Sequence, residues 1–339
     1  MNHTEIELKL RLPDPRRGPD IFAQALRLAP LSPPPQTEHL ESWYFDTPSH
    51  ALQRAGVAYR LRLEKKQWIA TIKAGGSSDG GLHRRQEWNA PAAGPAPSLD
   101  YFAGTAAKAL AAKLLGQEEL VPLFSTVFDR QSTHIATNSG DVVELAVDTG
   151  RIIAGNRQDA ISEVELELKE GDAAAVLAFG AKLARAIPLF VEERSKYARG
   201  LTLAGLAPSF APPLPLRPLS QEESAVSALK TLLIHAVQHL FHSMGQPEQA
   251  SPARLRKLYE LLKAAEPLTL PEALASWAAE LESLLTAGET LLPADRLTPL
   301  LLEIWAAAAR KDGGLFRPTA VAWGEFASSS PRNAADPLG

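Results

Sequence analysis

The chain has 339 residues, 45% of them hydrophobic, with no cysteine and a net charge of −4. That length accommodates two domains, and the slight negative charge gives no general drive toward nucleic acid or an anionic membrane. The absence of cysteine excludes disulfides and thiolate metal sites.

The start, "MNHTEIELKLRL", carries charge where a secretory leader needs an apolar run. The longest apolar stretch, 300–309, is too short to cross a bilayer and is broken by Glu303, so a soluble, cytoplasmic protein is expected. The same opening residues alternate strictly: Glu5, Glu7, Lys9 and Arg11 on one side, Ile6, Leu8, Leu10 and Leu12 on the other. That is strand periodicity, so all four charges project from one face. A helix is expected over 19–29. "YFDTP" then reads as a turn, with Asp46 before Pro48.

"VAYRLRLEKK" alternates again, with Arg60, Arg62 and Glu64 against Tyr59, Leu61 and Leu63, and "WIATIKAGG" places Lys73 at a strand end. "GGSSDGG" (75–81) reads as a flexible hairpin loop. "GGLHRRQEWN" sets His83, Arg85 and Glu87 two apart, with a helix expected over 101–115. "DVVELAVDTGRI" aligns Glu144, Ala146 and Asp148, and "SEVELELKEG" aligns Glu163, Glu165, Glu167 and Lys169 against Val164, Leu166 and Leu168. A helix over 172–186 follows. Glu64 and Lys169, near strand ends, are expected to be solvated, and the lone His83 to be structural.

Both signs occur on these charged faces in similar number. Glu5 and Glu7 would stand about 7 Å apart and repel by roughly 2 kcal/mol at an effective dielectric of about 20. Cross-strand ion pairs on a wet sheet could absorb that. The alternative is a charged lumen holding metal cations and a polyanion, its apolar outer faces covered by helices. The pattern alone leaves both open.

"LAPSFAPPLPLRPLS" (206–220) has five prolines and resists helix and central strand, which makes it a domain boundary. Beyond it, Ala, Leu and Glu recur at helical spacing to about residue 326. His235, His239 and His242 fall on one stripe there, compatible with metal, phosphate or a partly buried face. The tail, 327–339, is expected to be disordered.

"EIELKLR", "WYFDTPSHALQRAGVAYRLRLE", "LHRRQE", "ELAVDTGRI", "SEVELELKEG" and "ERSKYARG", in this order, resemble the CYTH superfamily, the triphosphate tunnel metalloenzymes. The resemblance implies an α+β protein: an eight-stranded antiparallel β-tunnel over 1–205 flanked by helices, then the 206–220 linker and an all-α domain over 221–326. It implies Mg²⁺ or Mn²⁺ on Glu5, Glu7, Glu163 and Glu165, with Glu167, Glu144 and Asp148 as further tunnel acids. Phosphate would be bound by Lys9, Arg11, Arg60, Arg62, Lys73, Arg85, Arg130 and Lys196, with Arg199 ranked lower. Glu87, Lys9 and Arg85 are the residues expected closest to the chemistry, Glu87 as the candidate for positioning water.

The residue chemistry agrees with that inventory. Triphosphate carries about four to five negative charges, which clustered Arg and Lys bind and metal ions screen. Carboxylates hold Mg²⁺ through hard oxygens. The expected activity is hydrolysis of inorganic triphosphate to pyrophosphate and phosphate. Class IV adenylyl cyclase, thiamine or nucleoside triphosphatase and a non-catalytic polyphosphate-binding module are the alternatives. The expected partner is a small polyanion, not nucleic acid or a membrane, with a homodimer as an option.

The helical segment is similar in its histidine helix to the CHAD module that follows some bacterial tunnels. It departs in charge: residues 219–339 hold ten Lys and Arg against fourteen Asp and Glu, whereas a polyphosphate binder should be basic. A packing, dimerisation or lid role is therefore expected for it.

Overall fold

The computed structural model describes residues 2–14, 18–28, 34–137, 139–206, 215–244, 252–269, 271–286, 294–311, 316 and 321–329. Eight strands of the first half are β1 (Asn2–Arg11), β2 (Gln36–Asp46), β3 (Ala58–Glu64), β4 (Gln67–Asp79), β5 (Leu82–Ala92), β6 (Val121–Ala136), β7 (Val142–Ala154) and β8 (Arg157–Glu170). The helices are α1 (Gly18–Arg27), α2 (Ala51–Arg54), α3 (Ala106–Leu115), α4 (Ala173–Ala186), α5 (Lys196–Leu203), α6 (Ala225–Met244), α7 (Pro252–Ala265), α8 (Pro271–Thr286), α9 (Ala294–Ala309) and α10 (Trp323–Ser329). The chain divides into two compact units, one of residues 1–169 with 192–211, the other of 170–191 with 212–339.

In the first unit the strands run in the order β5-β4-β3-β2-β6-β7-β8-β1, and β1 pairs back onto β5, closing an antiparallel barrel. Closure leaves no strand edge exposed. Alternation then sorts every strand into an inner and an outer set. The outer set, with Phe45, Tyr59, Leu61, Ile72 and Trp88, packs beneath Leu52 of α2, Phe102 of a 3₁₀ turn and Ala107 and Ala111 of α3. Leu61 and Ile72 are fully buried, each contributing about 2–3 kcal/mol.

The inner set is not uniformly charged. Leu40, Tyr44, Phe124, Phe128, Ile152 and Ile161 share the parity of the charged residues yet pack against Leu201 and Tyr197 of α5. So α5 lies against the barrel interior and fills part of it with apolar side chains. The approach is close: a Cβ on Gly200 would meet the Phe124 ring at 2.1 Å. Ser195 caps α5, accepting from the amide of Ala198 at 3.2 Å.

Three local expectations are refined. The segment 75–81 is a hairpin turn only at Gly80 and Gly81: β4 continues to Asp79, with a register shift between Ala74 and Gly76 in its pairing to β5. Glycine suits that bulge, because a Cβ on Gly76 would stand 2.1 Å from the Arg84 carbonyl oxygen. The 101–115 helix divides at Gly104 (φ 76°) into the 3₁₀ turn Leu99–Phe102 and α3. Asp46 serves the turn as its position suggests: buried, it accepts from the amides of Thr47, Leu52 and Gln53 at 2.7, 2.8 and 2.9 Å.

In the second unit, α4 packs on α9, and α6 on α7 and α9. Arg185 of α4 makes bidentate contacts with Glu280 of α8 (2.8 and 2.9 Å) and Glu303 of α9 (2.8 and 3.0 Å). On α6 the His235 and His239 rings are 4.2 Å apart, and burial holds both below the usual imidazole range, His235 at about 4. Of the linker, 207–214 lies outside the described residues. So does 330–339 of the tail, while 327–329 belong to α10. Among the described residues no helix is long and apolar enough to cross a membrane.

Candidate active site

The charged part of the barrel interior encloses a cavity of about 460 Å³. Of the residues expected there, Glu5, Glu7, Lys9, Arg60, Arg62, Lys73, Arg85, Glu87, Arg130, Glu144, Glu165, Glu167 and Lys196 line it. The register brings them together: Glu7 lies opposite Glu167 and Lys9 opposite Glu165 across β1 and β8, and Glu5 opposite Arg85 across β1 and β5. Along β8 side-chain exposure rises from 0% at Glu163 and 10% at Glu165 to 20% at Glu167 and 32% at Lys169. The cavity therefore opens toward the C-terminal end of β8 and is closed on the α5 side.

Three expected residues do not line the cavity, nor does the lower-ranked Arg199, which pairs with Asp159 and Glu163. Arg11, with its side chain 47% exposed, lies beyond the closed end, 3.9 Å from Glu192. Asp148 and Glu163 are fully buried behind the wall. Conversely, Glu64 and Lys169, expected to be solvated, do line the cavity, and Lys169 bridges Glu144 at 2.8 Å and Glu167 at 2.9 Å. Tyr44, Thr71, Asn89, Ser195 and Tyr197 also face it. Thr71 and Asn89 sit two residues from Lys73 and Glu87, so extending the period-two count by one step would have found them.

The cations fall into two groups. Lys196 Nζ donates to Asp148 at 2.6 Å, to Glu165 at 2.9 Å and to Glu163. Burial would lower its pKa, but the three carboxylates outweigh burial and hold it above the usual lysine range. The acidic trio Asp148, Glu163 and Glu165, with oxygens within 4.8 Å of one another, has the composition of a metal nest. The chain's own ammonium already satisfies it.

The same is true of the other paired cations. Arg130 makes a bidentate pair with Asp148 at 2.8 and 2.7 Å and also reaches Glu165. Lys9 is 3.1 Å from Glu7 and donates to Glu165, and Lys73 donates to Glu5 at 2.6 and 2.9 Å and pairs with Glu87 at 2.8 Å.

Arg60, Arg62 and Arg85 form no ion pair among the described residues. Arg60 Nη2 donates to Thr71 Oγ1 at 3.0 Å, and its buried Nε has no hydrogen-bond partner among the described residues. Arg62 Nε donates to Ser42 Oγ at 3.0 Å, its guanidinium 5.6 Å from the Phe128 ring centroid. Burial, then the charges of Arg60 and Arg130, pull Arg62 down to about 10. Arg85 Nη2 lies 3.4 Å from Nδ1 of the buried His83, which burial and Lys9 push down to about 3 and keep neutral. Three guanidiniums lining one cavity with no carboxylate in salt-bridge contact among the described residues suit an anion.

The acids carry the opposite imbalance. Burial, and then Glu7, push the Glu5 carboxyl up to about 7 despite Lys73, and burial raises Glu167. Burial would raise Glu87 too, but Lys73 and Arg60 outweigh it and hold that carboxyl well below the usual range. Glu5, Glu7, Glu165 and Glu167 thus place hard oxygen donors on adjoining strands, and Glu5 and Glu167 stay raised although each has a lysine partner. Such a donor set fits a divalent hard cation.

A profile of the CYTH domain matches residues 3–201. The chain is 31% identical over 200 residues to an inorganic triphosphatase of Haemophilus influenzae, covering 59% of this chain and 54% of that protein, so it spans about half the length of that relative. Among solved structures, a Hippeastrum adenylyl-cyclase candidate reported with a dominant triphosphatase activity aligns at 21% identity and TM-score 0.44, covering 58% of this chain and 95% of that one. A Pyrococcus horikoshii protein aligns at 17% identity and TM-score 0.38, covering 58% and 98%. With the profile matched across more than half its length, the chain belongs to the CYTH family.

Proposed function

We propose that the cavity binds inorganic triphosphate together with Mg²⁺ or Mn²⁺ and hydrolyses it to pyrophosphate and phosphate. The observation that carries this reading is that Arg60, Arg62 and Arg85 line the cavity without an ion-pair contact among the described residues, beside the carboxylate-rich face of β1 and β8. A receptor with both imbalances is matched by an anion of about four to five charges that brings its own cation. The name of the Haemophilus relative supports the same substrate.

Glu5, Glu7, Glu165 and Glu167 would hold the metal, with Glu144 at the open end beside Lys169. When bound, that cation supplies charge neutralisation and polarisation of phosphate oxygens. Arg60, Arg62 and Arg85 bind and orient the phosphates, and Lys9, Lys73, Arg130 and Lys196 keep the carboxylates ordered. Asp148 and Glu163 act as counter-ions of Lys196. In the reaction the oxygen of a water forms a bond to the terminal phosphorus, the bridging P–O bond breaks, pyrophosphate leaves and the water's proton passes to solvent or to a cavity carboxylate. Both Glu87 oxygens are engaged, by Asn89 and Lys73, which favours a positioning role over proton transfer.

Inorganic substrate is favoured over a nucleotide because the two aromatic rings that line the cavity are committed elsewhere. Tyr44 stacks on Phe124 at 4.6 Å, and Tyr197 lies 5.7 Å from Tyr44. Among the described residues no third aromatic ring lines the cavity to stack on a base. The acidic balance of residues 219–339 supports a packing or dimerisation role for 221–326.

The test is to incubate the protein with tripolyphosphate, ATP or thiamine triphosphate in Mg²⁺ or Mn²⁺ and measure phosphate, pyrophosphate and cyclic AMP. Fast tripolyphosphate hydrolysis lost in Glu5→Gln is expected. Preference for an organic triphosphate overturns the substrate, cyclic AMP overturns the reaction, and binding without turnover makes the protein a sensor.

A further inference from the structure

Arg60 and Glu87 carry opposite charges on the strands that flank β4, close enough for each to influence the other's ionisation. An ion pair between them would consume one of the three open guanidiniums. Two neutral side chains stand in the way. Arg60 Nη2 donates to Thr71 Oγ1 at 3.0 Å, Thr71 Oγ1 donates to Asn89 Oδ1 at 2.7 Å, and Asn89 Nδ2 donates to Glu87 Oε1 at 2.7 Å.

The strand register builds this chain. Arg60 is opposite Thr71 across β3 and β4, Thr71 is opposite Asn89 across β4 and β5, and Glu87 shares a face with Asn89 two residues away. All three bonds run from the cation toward the carboxylate, so each polarises the next. The threonine hydroxyl is used in both directions, and the amide orientation of Asn89 is set by its two partners. The second Glu87 oxygen is held by Lys73 at 2.8 Å, so the oxygen facing Asn89 is the one an approaching guanidinium would take.

We propose that Thr71 and Asn89 are positioning residues whose hydrogen-bonded side chains hold Arg60 apart from Glu87, keeping the guanidinium open to an anionic substrate instead of closing into an internal ion pair. The inference rests on the triphosphate reading of the cavity and adds what keeps that receptor charged. Thr71 and Asn89 bind no phosphate in this scheme and act only through Arg60. Because both are uncharged, each can be replaced without changing the formal charge of the cavity.

The test is a double-mutant cycle read by calorimetry, titrating metal-free tripolyphosphate at pH 7.5 into the full-length protein, Asn89→Ala, Thr71→Val, Glu87→Gln and Asn89→Ala/Glu87→Gln. Asn89→Ala and Thr71→Val should each weaken binding about tenfold, within the range of coupling between residues in contact. In the Glu87→Gln background, Asn89→Ala should change affinity less than about twofold, because the competing carboxylate is gone. Equal weakening in both backgrounds overturns the proposal, since a merely structural role would be additive.

A crystal structure of Asn89→Ala without ligand is the second arm. Arg60 resting on Glu87 is expected, and Arg60 still on Thr71 with Glu87 apart overturns the proposal. If the unmodified protein binds tripolyphosphate neither alone nor with Mg²⁺ or Mn²⁺, the triphosphate reading falls, and the Asn89→Ala structure alone decides whether the spacer separates the two charges.

Discussion

Replacing Lys196 with methionine removes the ammonium that three buried carboxylates share. Asp148, Glu163 and Glu165 place oxygens within 4.8 Å of one another, and at that distance two full charges repel by about 3.5 kcal/mol at an effective dielectric of about 20. Arg130 remains on Asp148 and Glu165, Lys9 on Glu165, and Arg199 lies 3.4 Å from Glu163, so the repulsion is partly offset. The expected loss for Lys196→Met is about 3–5 kcal/mol, the usual cost of breaking a buried ion pair from one side.

Urea unfolding at pH 7.5 and at pH 5 measures this loss. Burial already raises Glu163, and without the ammonium Asp148 and Glu165 are expected to follow it to folded pKa values above their unfolded ones. Protonation then contributes stability that is fully present below the unfolded pKa and is lost as pH rises through the folded pKa. Lys196→Met should therefore recover part of its deficit between pH 7.5 and pH 5. In the unmodified protein Glu165 and Asp148 are instead held below their usual range, and their contribution is lost only at lower pH. A deficit under about 1 kcal/mol at pH 7.5, or one that does not change with pH, would refute the assignment of Lys196 as the counter-ion of this nest.

Glu5, pushed up to about 7, should make the metal-free protein lose stability as pH rises from 5 to 8, whereas Glu5→Gln flattens that dependence and is more stable at pH 8 by on the order of 1–3 kcal/mol. Parallel thermal melts across that pH range check it, and matching slopes contradict it. Arg62→Ala should weaken tripolyphosphate binding about 10–100-fold, the worth of a charged hydrogen bond, while leaving stability level or higher because the guanidinium is buried among like charges. Calorimetry with a melt alongside separates the two effects. Gly200→Ala would drive a methyl into Phe124 and should cost about 1–3 kcal/mol by urea unfolding, with a mobile α5 if the barrel tolerates it.

Strand alternation was legible because a pleated strand has a period of two whatever it packs against. It separated Leu61 from Arg60 and Arg62 correctly, while leaving open whether the charged face was wet or enclosed. Period, however, states a face and not a depth. Arg11, Glu163 and Asp148 share the parity of the cavity residues, yet one lies beyond the closed end and two behind the wall. The residues 75–81 read as a loop because glycine and serine disfavour strand in isolation. Pairing with β5 overrode that preference and used the glycines for a bulge.

The sequence by itself determined the charged and apolar faces of β1, β3, β5, β7 and β8 and the resemblance to the family, because these depend on local periodicity and on short motifs. Only the tertiary structure decided which cations are spent on carboxylates and which stay open. Lys9, Lys73, Arg130 and Lys196 look no different in sequence from Arg60, Arg62 and Arg85. Their division arises from barrel closure and from α5 entering the lumen, which set distances between side chains remote in sequence. Electrostatic pairing depends on those distances, and no periodicity encodes them.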